Sequence, residues 1–131
     1  PRALDGYQTS HVVVCGFDRS GTLLWDNTYV LDDMHRRDLE ETVRVLPLPD
    51  GRLALAYLRD DKLHYKLVNH AETAPNDLVV PLFTPPDKVL DSEPTDLLPW
   101  FGTRFVASGY QRIRSAGRPD HDVFFLNAVA F

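Results

Sequence analysis

The sequence predicts an all-β domain built from antiparallel sheets. Three observations carry that reading. Apolar or alternating segments recur along the chain, each bounded by a turn rich in Gly, Pro or Asp. Arg52 to Arg59 and Lys62 to Val68 alternate with the two-residue period of a strand. Gly16-Phe17-Asp18-Arg19-Ser20-Gly21-Thr22-Leu23-Leu24-Trp25-Asp26 reads as strand, tight turn and strand.

Residues 1–10 are polar and Gly-containing, and are expected as a lead-in. His11 to Phe17 is apolar and β-branched, which predicts a strand covered on both faces. In Asp18-Arg19-Ser20-Gly21 the Asp accepts local backbone hydrogen bonds, and the Gly supplies the positive φ of a bulged hairpin loop. From Thr22 to Leu31, Leu23, Trp25, Tyr29 and Leu31 share one face, and Thr22, Asp26 and Thr28 the other. Asp32 to Glu41 is the one segment with helical character, and its poor periodicity allows one or two turns.

Thr42 to Leu48 returns to strand, with Val43 and Val45 opposing Arg44, and Pro49-Asp50-Gly51 turns the chain. In Arg52 to Arg59, Leu53, Leu55 and Tyr57 face one way; Ala54, Ala56 and Leu58 face the other, where small residues predict close sheet packing. After the Asp60-Asp61 turn, Lys62 to Val68 places Leu63, Tyr65 and Leu67 inward and Lys62, His64 and Lys66 outward. That charged face predicts a sheet edge. Asn69 to Asp77 is a loop, and Leu78 to Phe83 a short strand that Pro81 confines to an edge or makes irregular.

Thr84 to Pro99 holds Pro85, Pro86, Pro94 and Pro99. It is expected as a long connection over the surface, pinned by Val89, Leu90, Leu97 and Leu98. Thr103 to Arg114 is a strand with Phe105, Ala107, Gln111 and Ile113 on one side. Ser115 to Asp120 is a Gly/Pro hairpin loop, and Asp122 to Phe131 a strongly apolar last strand.

The 131 residues suit a single β-rich domain, 1–131. A net charge of −5, with the basic cluster His35-Arg36-Arg37 set among acids, argues against a nucleic-acid partner. No run approaches the ~20 apolar residues of a membrane helix, so no membrane insertion is expected. The single cysteine, Cys15, excludes an internal disulfide and is read as a small buried hydrophobe without an activating neighbour. The chain shows no signal peptide and begins at Pro1 without an initiator Met, which predicts that upstream sequence has been removed or omitted.

Two internal echoes add to the strand rhythm. Arg52-Leu53-Ala54-Leu55-Ala56-Tyr57 resembles Arg104-Phe105-Val106-Ala107-Ser108-Gly109-Tyr110. That offset of about fifty residues lies in the range of propeller-type repeats. His121-Asp122-Val123-Phe124-Phe125-Leu126-Asn127 resembles Ser10-His11-Val12-Val13-Val14-Cys15-Gly16. A chain that ends with half of its opening unit points to circular closure. Gly16 to Trp25 resembles the strand–turn–strand element of bacterial β-propeller repeats of the quinoprotein-like kind.

The resemblance implies propeller-like blades, about two in this length, in a bacterial and exported (periplasmic or extracellular) protein. A propeller needs four or more blades. The chain is therefore expected to be part of a larger propeller or to assemble from several copies. A small β-sandwich or barrel is the alternative. No quinone-binding or metal-ligand residue carries over.

Little points to chemistry. His11, His35, His64, His70 and His121 fall at no metal-ligand spacing, and Asp120-His121-Asp122 reads as a solvated turn. Asp32, Asp33, Asp38, Glu40 and Glu41 lack the order of a calcium loop. Ser20, Ser92, Ser108 and Ser115 lie in no nucleophile elbow. No catalytic residue, metal ligand or cofactor is assigned, and the chain leans away from being an enzyme. Trp100 and Phe101 are the candidate interaction surface; the competing role is to anchor the Pro-rich stretch on the core. The expected function is a non-enzymatic binding or structural module whose partner is another protein or itself. The alternatives are a fragment of a propeller enzyme with its site between blades or subunits, and a small-ligand β-barrel.

Overall fold

The computed structural model describes residues 5–72, 77–82 and 85–131. Residues 1–4 of the expected lead-in, 73–76 of the expected loop, and Phe83 and Thr84 lie outside it. The first hairpin forms around Asp18. Its Oδ1 accepts the Ser20 hydroxyl at 2.6 Å and the amides of Ser20 and Thr22 at 2.8 and 2.9 Å. These bonds hold the Asp18 carboxyl below the usual carboxylate range. Gly21 takes φ +85°, a value that a side chain would make costly.

This turn joins β1 (Tyr7–Phe17) to β2 (Leu23–Arg36). β3 (Arg44–Pro47), β4 (Leu53–Arg59), β5 (Lys62–Val68) and β6 (Leu78–Pro81) follow, then β7 (Lys88–Trp100), β8 (Arg104–Arg114) and β9 (His121–Ala130). The described residues form an all-β fold of three antiparallel sheets, β1-β2, β3-β4-β5-β6 and β7-β8-β9. None of the sheets closes on itself, so the barrel alternative does not hold among the described residues.

The second sheet lies between the other two. On one face, Leu55, Tyr57 and Val68 pack against Tyr29, Leu31 and Met34 of β2. On the other, Ala54, Ala56 and Leu63 pack against Leu97, Phe105 and Ala107 of the third sheet. The alanines bring that third sheet close, and the Phe131 ring seals the gap at 4.5 Å from Tyr65 and 5.5 Å from Phe105. Phe105 is fully buried, and burying such a side chain contributes about 1.5–3 kcal/mol.

Several expectations need correction. Strand β1 begins at Tyr7, so residues 7–10 are strand rather than lead-in. It is covered on one face only: Val12 and Val14 turn toward the core, while His11, Val13, Cys15 and Phe17 are exposed. Cys15 is therefore not a buried hydrophobe. A register shift after Gly16 sets Leu23 opposite Phe17, which takes Leu23 out of the Trp25 row and leaves it exposed.

No helix forms in 32–41. Strand β2 runs on to Arg36 because a kink at Asp33, φ +27°, lets Met34 rejoin the buried row of Tyr29 and Leu31. Strand β5 is not an edge, since β6 pairs beyond it, and the His64–Lys66 face turns toward the first sheet. Pro81 does lie on an edge strand, β6.

Within the described residues 85–99 the expected surface connection is not found: from Lys88 onward the chain is the thirteen-residue strand β7. Prolines are tolerated because β7 is an edge and carries register shifts between Val89 and Asp91 and between Pro94 and Asp96. Pro94 also faces Gly109. A Cβ at Gly109 would run into the Glu93 carbonyl oxygen and lie 2.8 Å from Pro94 Cα.

Candidate functional site

Trp100 and Phe101 stand at the turn between β7 and β8, 51% and 70% exposed, with ring centroids 5.8 Å apart. The Arg104 guanidinium sits 5.5 Å from the centre of the Phe101 ring. Both rings project from the hairpin end. The anchoring role falls to Leu97, which is buried in the core beside Phe105.

The other sequence candidates separate. At the β8–β9 hairpin, Arg114 grips Asp120 with two bonds of 2.8 Å, and Arg112 reaches Asp122 at 3.1 Å. That grip lowers the Asp120 carboxyl and raises the Arg114 guanidinium. His121 Nδ1 lies 3.0 Å from the Pro119 carbonyl oxygen. Asp32 lies 3.6 Å from Arg59, Glu40 lies 4.0 Å from Arg36, and Glu41 bonds Arg44. Among the described residues no group of three or more His, Cys, Asp and Glu could hold a metal ion.

Arg44 also reaches Asp96 of β7 at 3.6 Å, and so spans the second and third sheets. It lines a cleft of about 150 Å³ in which Arg36, Arg44 and Arg59 meet Glu40, Glu41, Asp60 and Asp96. Each of the three arginines has a carboxylate within 4.0 Å, and the four acids outnumber them, so the cleft offers no surplus positive charge to an anion, although the buried Arg36 Nε makes no hydrogen bond.

Sequence reasoning missed a third cluster. Tyr57 and His64 are direct partners in the β4–β5 ladder, and their rings stack at 4.9 Å and 17°. The Tyr29 ring meets Tyr57 edge-on at 5.8 Å, with Lys66 Nζ 5.4 Å from its centre. Burial, reinforced by the Asp77 carboxylate, pushes both phenols up. Burial also pushes the His64 imidazole down. The Tyr29 hydroxyl is buried and meets no partner in good hydrogen-bond geometry, while the Asp77 carboxylate and the Tyr57 hydroxyl lie close enough to act on it. The available signal was the pairing across the Asp60-Asp61 turn, which sets Tyr57 opposite His64 and so puts both side chains on one face.

Apolar rows cover the outer faces of the end sheets. On the first sheet Val13, Phe17 and Val30 are exposed. On the third, Tyr110 and Phe124 pair edge-on at 5.4 Å, beside Leu126 at 68% exposure. Comparison with protein-family models, curated proteins and solved structures gives no match. Among the described residues no helix is long and apolar enough to cross a membrane.

Proposed function

We propose that the chain is a non-enzymatic binding or structural module made of propeller-like blades. The sheet β3-β4-β5-β6 has the four-stranded form of one blade, and the sheets on either side serve as incomplete ones. The observation that supports this reading best is the pair of exposed apolar rows, around Val13 and Val30 on one side and Tyr110, Phe124 and Leu126 on the other. Exposed apolar faces of this kind mark interaction surfaces. Trp100 and Phe101 extend the third sheet's surface at its hairpin end. The carboxylate clusters, engaged by arginines, supply no free acid–base pair.

The test is a Val13→Thr, Leu126→Thr protein, which has β-branched strand formers at both sites. At high dilution its stability stays within about 0.5 kcal/mol of the parent, as for surface positions, and its binding of an apolar fluorescent dye falls. A loss above about 2 kcal/mol, the scale of core truncations, refutes the reading by placing these rows inside the chain's own core.

A further inference from the structure

We infer that the edge of β1 is a docking site for a second copy of the chain, whose own β1 pairs antiparallel beside it across a two-fold axis at Val13. The inference goes beyond the module reading, which concerns the outer faces of the sheets. Among the described residues the three open sheets have six edge strands, β1, β2, β3, β6, β7 and β9. Most carry a device that discourages pairing with another chain. β3 and β6 are four residues long and contain Pro47 and Pro81. β7 holds Pro94, Pro99 and two register shifts. β2 carries Asp26, Asp32 and Asp33 and is kinked at Asp33. β9 keeps one exposed acid, Asp122. β1 has no Pro, Asp, Glu, Lys or Arg in eleven residues. Its register shifts lie near its ends and leave His11 to Gly16 in unbroken register.

Among the described residues no backbone bond outside the ladder reaches residues 7–17. An extended strand is what supplies donors and acceptors at the spacing of such an edge. The core is open on the same side. Asn27, Tyr29 and Leu31 of β2 are buried, while Val12 and Val14, beside them on β1, are half-buried over the same core. A strand beyond β1 covers that row and takes the first sheet from two strands to the four of its neighbour.

The stretch is also its own complement. With the axis at Val13, Val12 lies opposite the partner's Val14 on the inner face, and Val14 opposite the partner's Val12. On the outer face Val13 meets the partner's Val13, and His11 meets the partner's Cys15. Directly opposed residues share a face, so each row continues across the junction. β-Branched pairs stabilise a ladder, and a segment without charged residues sets no like charges against its own copy. Moving the axis to Val14 sets Val12 against Gly16, which has no side chain to pack. The contact is two-fold and uses the same edge on both copies, so it closes as a dimer.

Light scattering at about 100 µM, where a contact with Kd of about 1 µM is occupied, is expected to give twice the 14.9 kDa chain. Dilution to about 0.1 µM is expected to give the single chain. Hydrogen exchange at the two concentrations is expected to be slower in the concentrated sample at alternate amides of His11 to Cys15, those aimed at the new neighbour. The β9 amides are expected not to change. Val13→Lys sets lysine against lysine at the axis and is expected to give monomers, as is Val13→Asp. An equimolar mixture of the two variants is expected to dimerise, which excludes misfolding as the cause of the loss. A monomeric parent overturns the inference, as does a dimer whose β1 amides ignore dilution. A dimer that survives Val13→Lys, or a mixture that stays monomeric, overturns it too. If a monomeric parent keeps its stability and loses dye binding on Val13→Thr, Leu126→Thr, the module reading stands and only the paired edge is excluded.

Discussion

Tyr29→Phe removes one oxygen from the wall between the first and second sheets. The Tyr29 side chain is 1% exposed, and its hydroxyl makes no hydrogen bond. Leaving a buried hydroxyl unpaired costs about 1–3 kcal/mol. The ring's edge contact with Tyr57 at 5.8 Å and its face toward Lys66 at 5.4 Å do not involve the oxygen. Phenylalanine preserves both. The variant is therefore expected to be more stable by about 1 kcal/mol, the low end of that range because the Asp77 field acts on the phenol. Urea unfolding followed by tryptophan emission reads the change, with the midpoint rising at unchanged slope. Tyr29→Ala, the contrasting variant, deletes the ring and is expected to cost about 3–5 kcal/mol. If Tyr29→Phe lowers stability by 1 kcal/mol or more, the hydroxyl has a bonding partner and the reasoning is wrong.

Two further outcomes follow from the same geometry. Gly109→Ala forces a methyl against the Glu93 carbonyl and Pro94, backbone atoms that cannot rotate away, and is expected to cost about 1–3 kcal/mol. Ser108→Ala, the neighbouring control, is expected to cost little, and equal effects at the two sites in thermal melts exclude the clash. For pH, burial lowers the His64 pKa in the folded state, so the unfolded chain takes up that proton first as pH falls below about 6.5. Stability from this group is full above that pH and declines through the window down to the folded pKa. His64→Gln flattens the decline, and an unchanged profile in that variant rules out His64 as its source.

Much of the fold was legible because strands announce themselves by alternation. Lys62 to Val68 matches β5 residue for residue, and the Asp18 turn forms from the bonds its sequence predicts. The segments that escaped share one cause, a break in phase. In β2 the kink at Asp33 sets the buried Leu31 and Met34 three apart, a spacing that imitates a helix. In β7 two register shifts and four nearby prolines hide the period, and only its partner explains it: Gly109 leaves room for Pro94 to pair. The Tyr29, Tyr57 and His64 cluster was hidden differently. It depends on which sheet covers β5, and alternation within one strand names two faces without saying what lies beyond either.

Strand β4 is the wall shared by both cores, with Ala54, Leu55, Ala56 and Tyr57 between 0% and 2% exposed. Neither core can loosen without exposing one side of that strand. The chain is therefore built to unfold as one cooperative unit rather than sheet by sheet. Amides of β4 exchange with solvent only when the whole molecule opens, while β1 and β9, each paired on one side, exchange through local fraying. The molecule's slowest clock runs at its middle, in the four residues where the two cores meet back to back.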